Sequence, residues 1–277
     1  MTLFDAQDPN ETTAAAPSAP LRRVKLLVAY DGAAFHGFAA NGDADTATVA
    51  GTLRAALERV LRAPVKLAQA GRTDAGVHGW GQVVSFDAPA DGPDLGRLQR
   101  SLNGLCGPHI AVRSADIVDD DFDARFSAAW RHYRYHVLTS ATPNPFLAAT
   151  AWHVGEPLDL AAMRLASDPF LGEHDFTSFC RKPRGVPEGR MPTMRRRVLI
   201  ARWSVPDPVD QPELLRFDIR ATAFCHQMVR SITGLLVDVG RGRKRAGDVL
   251  DIIRALERRA DATVAPAHGL CLWEVGY

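Results

Sequence analysis

Closely spaced cysteines are missing from this chain. Cys106, Cys180, Cys225 and Cys271 are widely separated, with no Cys-x-x-Cys pair. Four reduced thiols packed as small hydrophobic side chains are therefore expected, and a cysteine-built zinc site is excluded. His132 and His136 share one strand face, yet no nearby cysteine or third histidine completes a ligand set, so no metal is expected. No glycine-rich phosphate cradle is present, and no cofactor is expected. Long apolar runs are also lacking: none approaches the roughly 18 residues needed to span a bilayer. Residues 1–20, rich in Ala, Thr, Pro and acid, lack the positive start and apolar segment of a secretory signal and read as a disordered tail. Arg22-Arg23 does not make a twin-arginine signal, because the segment after it is broken by Lys25 and reads as a strand. A cytoplasmic location follows as the expectation. Nor is charge of one sign in excess. The formal net charge is only +1, so nothing global announces a polyanionic partner.

What is present begins with core material. With 277 residues, 46% hydrophobic and 23% charged, the chain can form one large domain or two halves. Its positive charge is local. Arg181, Lys182, Arg184, Arg190, Arg195, Arg196, Arg197 and Arg202 stand against a single acid, Glu188, and Arg241, Arg243, Lys244 and Arg245 form a second cluster. One such run reads equally well as a solvated face. Two on a near-neutral chain tilt toward phosphates, which reward local charge.

The hydrophobic pattern predicts an α+β fold. Arg22 to Tyr30 alternates, with Val24, Leu26, Val28 and Tyr30 on one side. Thr48 caps a helix whose Val49, Leu53, Leu57, Val60 and Leu61 recur at helical spacing. Strands at 65–70 and 82–87, a helix at 95–105 and a strand at 110–118 complete the ferredoxin-like order strand, helix, strand, strand, helix, strand. The second half offers strands at 130–139, 195–205, 213–224 and 271–275, with helices at 160–170, 227–239 and 246–259. Two ferredoxin-like or RRM-like halves, residues 21–125 and 126–277, are expected to share a central antiparallel sheet with a cleft between them. The loops at 140–150 and 181–194 are too long for simple connections and are candidate insertions for contacting a phosphate-bearing partner.

The most informative stretch is Gly71-Arg72-Thr73-Asp74-Ala75-Gly76-Val77-His78, between two strands. On spacing alone, an aspartate between glycines is a turn residue. Arg72 changes that reading. Two residues upstream on an extended segment, it can lie beside Asp74 and favour the ionised carboxylate, which a carboxylate nucleophile requires. The octapeptide resembles the catalytic motif of the TruA-type tRNA pseudouridine synthases. Other pieces are similar in order: Tyr30-Asp31-Gly32 with Phe35 and Gly37; Thr48-Val49-x-Gly51-x-Leu53; Phe122-x-Ala124-Arg125-Phe126-Ser127-Ala128 followed by Arg131-x-Tyr133-Arg134-Tyr135; Phe224-x-x-Gln227-Met228-Val229-Arg230 with Gly234; and Gly269-Leu270-x-Leu272. The similarity runs from about residue 22 to the end.

That resemblance implies a tRNA isomerase converting uridine to pseudouridine in the anticodon stem-loop, at nucleotide positions 38, 39 and 40, and working as a homodimer. It places the catalytic aspartate at Asp74, its arginine partner at Arg72, a base-packing tyrosine at Tyr133 and the basic residue touching the aspartate at Arg230. Without the family, Tyr133 reads as a core aromatic and Arg230 as a helix-surface charge. Arg230, however, sits beside the apolar stripe of a very hydrophobic helix, where an unpaired charge is costly and a buried partner would relieve it. Arg181, Lys182, Arg184, Arg195, Arg196 and Arg197 are the candidate RNA-binding residues. The chain departs from the family where Gly37 is followed by Phe38-Ala39-Ala40-Asn41 in place of Trp-Gln-x-Gln, which bears on RNA specificity. A non-catalytic RNA-binding module and a carboxylate-dependent nucleosidase are the competing classes. The latter calls for a second acid in a comparably strong motif, and none is found.

Overall fold

The computed structural model describes residues 20–39, 46–182 and 192–277. Its first half runs β1 (Leu21–Tyr30), α1 (Val49–Leu61), β2 (Ala68–Gln69), β3 (His78–Pro89), α2 (Leu95–Cys106) and β4 (Ile110–Ile117). Local signals explain the helices. The Thr48 side chain accepts a hydrogen bond from the Gly51 N–H and Asp94 from the Arg97 N–H, each satisfying a free N-terminal donor. Val49, Leu53 and Leu57 of α1 and Leu98 and Leu102 of α2 then bury one stripe each against Val24, Leu26 and Val28 of β1.

The second half contains β5 (Trp130–Leu138), β6 (Trp152–His153), α3 (Leu160–Ser167), β7 (Gly172–Asp175), β8 (Arg195–Ser204), β9 (Leu214–Ala221), α4 (Met228–Gly240), α5 (Asp248–Arg254) and β10 (Leu270–Gly276). Its core gathers Tyr135, Val137, Phe170, Phe176, Phe217, Ile219, Met228, Ile232 and Leu236.

Strand order reveals the duplication. The sheet reads β4-β1-β3-β10-β5-β9-β8-β7, with β2 also on β3 and β6 on β5. In the first half β4-β1-β3-β2 is antiparallel throughout, and so is β10-β5-β9-β8 in the second. Each is the ferredoxin-like order, fourth-first-third-second. A short parallel seam joins the halves, Cys271 opposite His78 and Leu272 opposite Gly79. Leu272 belongs to the second core, and Gly79 packs under Tyr30 of the first, so both halves carry their helices on the same sheet face.

The departures from the expected elements are local. The strand expected at 65–70 shrinks to two residues, while β3 starts at His78, ahead of the expected 82, because β10 pairs with its beginning. The helix expected over 246–259 is only Asp248–Arg254. β6 and β7 went unforeseen, being too short to display a periodicity.

Candidate active site

The loop after Gly71 is held by groups on both sides. Gln82, fully buried on β3, donates from Nε2 to the Gly71 carbonyl at 2.7 Å. The buried Tyr30 hydroxyl pairs with Thr73 Oγ1 at 2.8 Å, and the Phe38 N–H donates to the Thr73 carbonyl at 3.1 Å. The chain then turns: the Val77 N–H donates to the Asp74 carbonyl at 3.2 Å, and Gly76 takes φ +78°. With Thr73 drawn inward, Asp74 projects into a cleft of about 1020 Å³ lined also by Arg72, Tyr133, Phe224, His226 and Arg230. That is ample for a nucleotide within an RNA strand.

Asp74 meets two nitrogen-bearing side chains, Arg230 and His226. Arg230, on the first turn of α4, donates from Nη1 to Oδ2 at 3.1 Å and from Nε to the Ala265 carbonyl at 2.8 Å. Its side chain is 17% exposed, so the carboxylate and the carbonyl together compensate a charge largely removed from water. His226 lies on the other oxygen, with Nε2 3.3 Å from Oδ1. The Arg230–Asp74 contact forms as the burial argument requires. The Arg72–Asp74 pairing does not. Arg72 is exposed on the cleft wall and makes no ion pair among the described residues. That expectation took Arg72 as the partner of Asp74; in the structure Thr73 between them is held by Tyr30, and the Asp74 carboxylate meets Arg230 and His226 instead.

Tyr133, on β5, is buried at the cleft floor with its ring edge-on to Phe224, centroids 5.1 Å apart. Burial first, and the Asp74 charge second, push its phenol well above the ordinary value, so it stays neutral. Beside it Arg131 donates to the carbonyls of Ala70, Arg125, Ala128 and Thr222. It clasps the start of the Asp74 loop to the segment joining the halves.

A family model described as tRNA pseudouridine synthase matches residues 26–127 and 166–277, well over half of the chain. The chain belongs to that family. A tRNA pseudouridine synthase A of Corynebacterium glutamicum is 40% identical over 267 residues, covering 92% of this chain and 89% of that protein. One from Cutibacterium acnes is 41% identical over 264 residues, 93% and 89% of the two chains. One from Bacillus licheniformis is 37% identical over 257 residues, 92% and 99%.

For a tRNA pseudouridine synthase the arrangement of positive charge matters as much as the carboxylate. The structure divides the basic run. Arg181 and Arg196 line the cleft, whereas Arg195 and Arg197 face away and reach Glu173 at 3.2 and 3.7 Å. Strand period explains this, since alternate side chains of β8 leave opposite faces. Lys182 is exposed but is not part of the cleft wall. Arg184 falls outside the described residues. In the second cluster Arg241 pairs with Glu156 at 2.5 Å, away from the cleft.

Two readings from the sequence need amendment. The four cysteines are not all free, because Cys180 and Cys225 form a disulfide, their Cα atoms 5.7 Å apart. The 45-residue separation hides a proximity created where the short helix Thr177–Phe179 meets the turn before α4. His226 was also passed over. It occupied an unspecified position inside the motif ending at Arg230, and a polar aromatic just ahead of that helix was the available signal.

Proposed function

We propose that this chain isomerises uridine to pseudouridine in tRNA, within the anticodon stem-loop at nucleotide positions 38, 39 and 40. The observation that carries the reading is a carboxylate, Asp74, projecting into the cleft with one oxygen held by Arg230 and a buried tyrosine close by. In that role Asp74 acts on the target nucleoside, Arg230 keeps it ionised and oriented, and Tyr133 packs against the base. Arg72, on the cleft wall, and Arg181 and Arg196 hold phosphates beside it. Lys182, Arg195 and Arg197, which lie off the cleft wall, are proposed as secondary RNA contacts, as is Arg184, which falls outside the described residues.

The reaction breaks the bond between ribose C1′ and uracil N1, turns the base and rejoins it through C5. The C5 proton leaves and N1 ends protonated, so no oxidant, reductant or energy source is needed. A paired uridine must first leave its stack, which costs a few kcal/mol. Packing against Tyr133, worth about 1–3 kcal/mol for a base on an aromatic ring, offsets part of that. Recognition by shape suits a stem-loop better than base-by-base reading.

We further propose residues 21–125 and 126–277 as the two halves, a homodimer as the working form and the cytoplasm as its location. Among the described residues no helix is long and apolar enough to cross a membrane. Sedimentation of the full chain as a monomer at working concentration would remove the dimer.

Release of tritium from C5-labelled uridine in tRNA tests the function. The wild type is expected to release it, and Asp74→Ala to release none while still binding RNA. Silence of the wild type across a full tRNA pool would leave a binding module. Release of free uracil would mark a nucleosidase.

A further inference from the structure

Asp74 is gripped from two sides, and the histidine grip stands apart from the arginine one. A carboxyl group turns about its Cβ–Cγ bond in a broad, nearly two-fold well. A partner on Oδ2 alone leaves Oδ1 free to swing. Neighbours on both oxygens set the plane of the group, and His226 supplies the second at 3.3 Å.

The turn carrying His226 is anchored at points unrelated to its ring. The Arg181 N–H donates to the His226 carbonyl at 2.9 Å. Cys225, the preceding residue, is tied to Cys180. Gln227, the following one, adopts a left-handed conformation, φ 64°, ψ 4°, which L side chains rarely take up. Its Oε1 accepts from Arg258 Nη2 at 2.8 Å. Those anchors fix the backbone and leave the imidazole half open to the cleft, with Asp74 its sole polar partner among the described residues. A backbone pinned this firmly delivers the ring to one place.

We propose, resting on the isomerase reading above, that His226 is a positioning residue: with Arg230 it sets the plane of the Asp74 carboxylate, so that a lone pair faces the extruded nucleoside. The ring acts through Asp74 and takes no part in bond making. A glutamine in its place offers a neutral amide N–H at similar reach; alanine offers nothing.

Single-turnover tritium release and RNA dissociation constants are measured for the wild type, His226→Ala and His226→Gln, with thermal melting of each. His226→Ala is expected to slow the chemical step on the order of 10²-fold, the scale of a misplaced reacting group, with RNA affinity and melting unchanged. His226→Gln is expected to recover most of the rate. An alanine variant as fast as the wild type overturns the inference and leaves the function standing. So does a loss in which rate, affinity and melting fall together and glutamine restores none of them. A wild type that releases no tritium overturns both.

Discussion

Arg230 shows how far single residues argue for themselves. A guanidinium on an apolar helix must find an acceptor, and it finds two, Asp74 and the Ala265 carbonyl. Arg230→Ala removes a preorganised donor from a charge that must stay in one orientation. The single-turnover rate is expected to fall about 10²–10³-fold with RNA affinity little changed; a near-normal rate would deny the pairing a part in the chemistry. Arg230→Lys keeps a charge but loses the planar fork that serves both acceptors, and is expected to recover little. Arg72 teaches the opposite lesson. It stands two residues from Asp74 in sequence, but which side chains the carboxylate meets was decided by the late helix and the turn before it, not by the loop's own neighbours.

At the level of elements, alternation decides which charges work together. Arg196 shares its β8 face with the buried Val198 and reaches the cleft, while Arg195 and Arg197 stand on the other face. Arg196→Ala is expected to reduce the salt dependence of RNA binding by about 0.7–0.9 in the log–log slope, one phosphate's worth. The double change Arg195→Ala with Arg197→Ala is expected to move it less; the reverse order would put the RNA on the outer face. The β5–β9 pair also carries a pH response. Burial, then Arg216 and Arg134, depress His136 from 6.5 to about 4. Burial raises Asp218, but hydrogen bonds and charges from His132, Arg216 and Arg134 outweigh it and hold the group at about 2. Both folded values lie below the unfolded ones, so each contribution is present at higher pH and lost on acidification. His136 loses its share between about 6.5 and 4, and Asp218 between about 3.8 and 2. Thermal melting should therefore drop as pH falls from 6.5 to 4, and His136→Gln should flatten that limb. An unchanged limb would assign it elsewhere.

At the scale of the whole molecule, the seam between β3 and β10 makes two ferredoxin-like halves into one sheet. Gly81 lies there because a Cβ would overlap the Trp273 carbonyl, a backbone atom that cannot step aside. Gly81→Ala is expected to destabilise the chain by about 1–3 kcal/mol, the usual range for overpacking, read as a lower denaturant midpoint. Gly104, on α2 with open space around its Cα, is the control: Gly104→Ala should raise the midpoint slightly. Equal behaviour of the two would dissolve the seam argument. The amino-acid sequence by itself determined what local rules can write: strand and helix periods, the cap at Thr48, the order of elements in the first half, and the motifs naming Asp74 and Arg230. Tertiary structure alone decided what no local pattern encodes. The β3–β10 seam, the disulfide between Cys180 and Cys225, the division of the arginine run by strand faces and the approach of His226 to Asp74 all depend on segments far apart in the chain. Their distances are set by how two cores pack on one shared sheet.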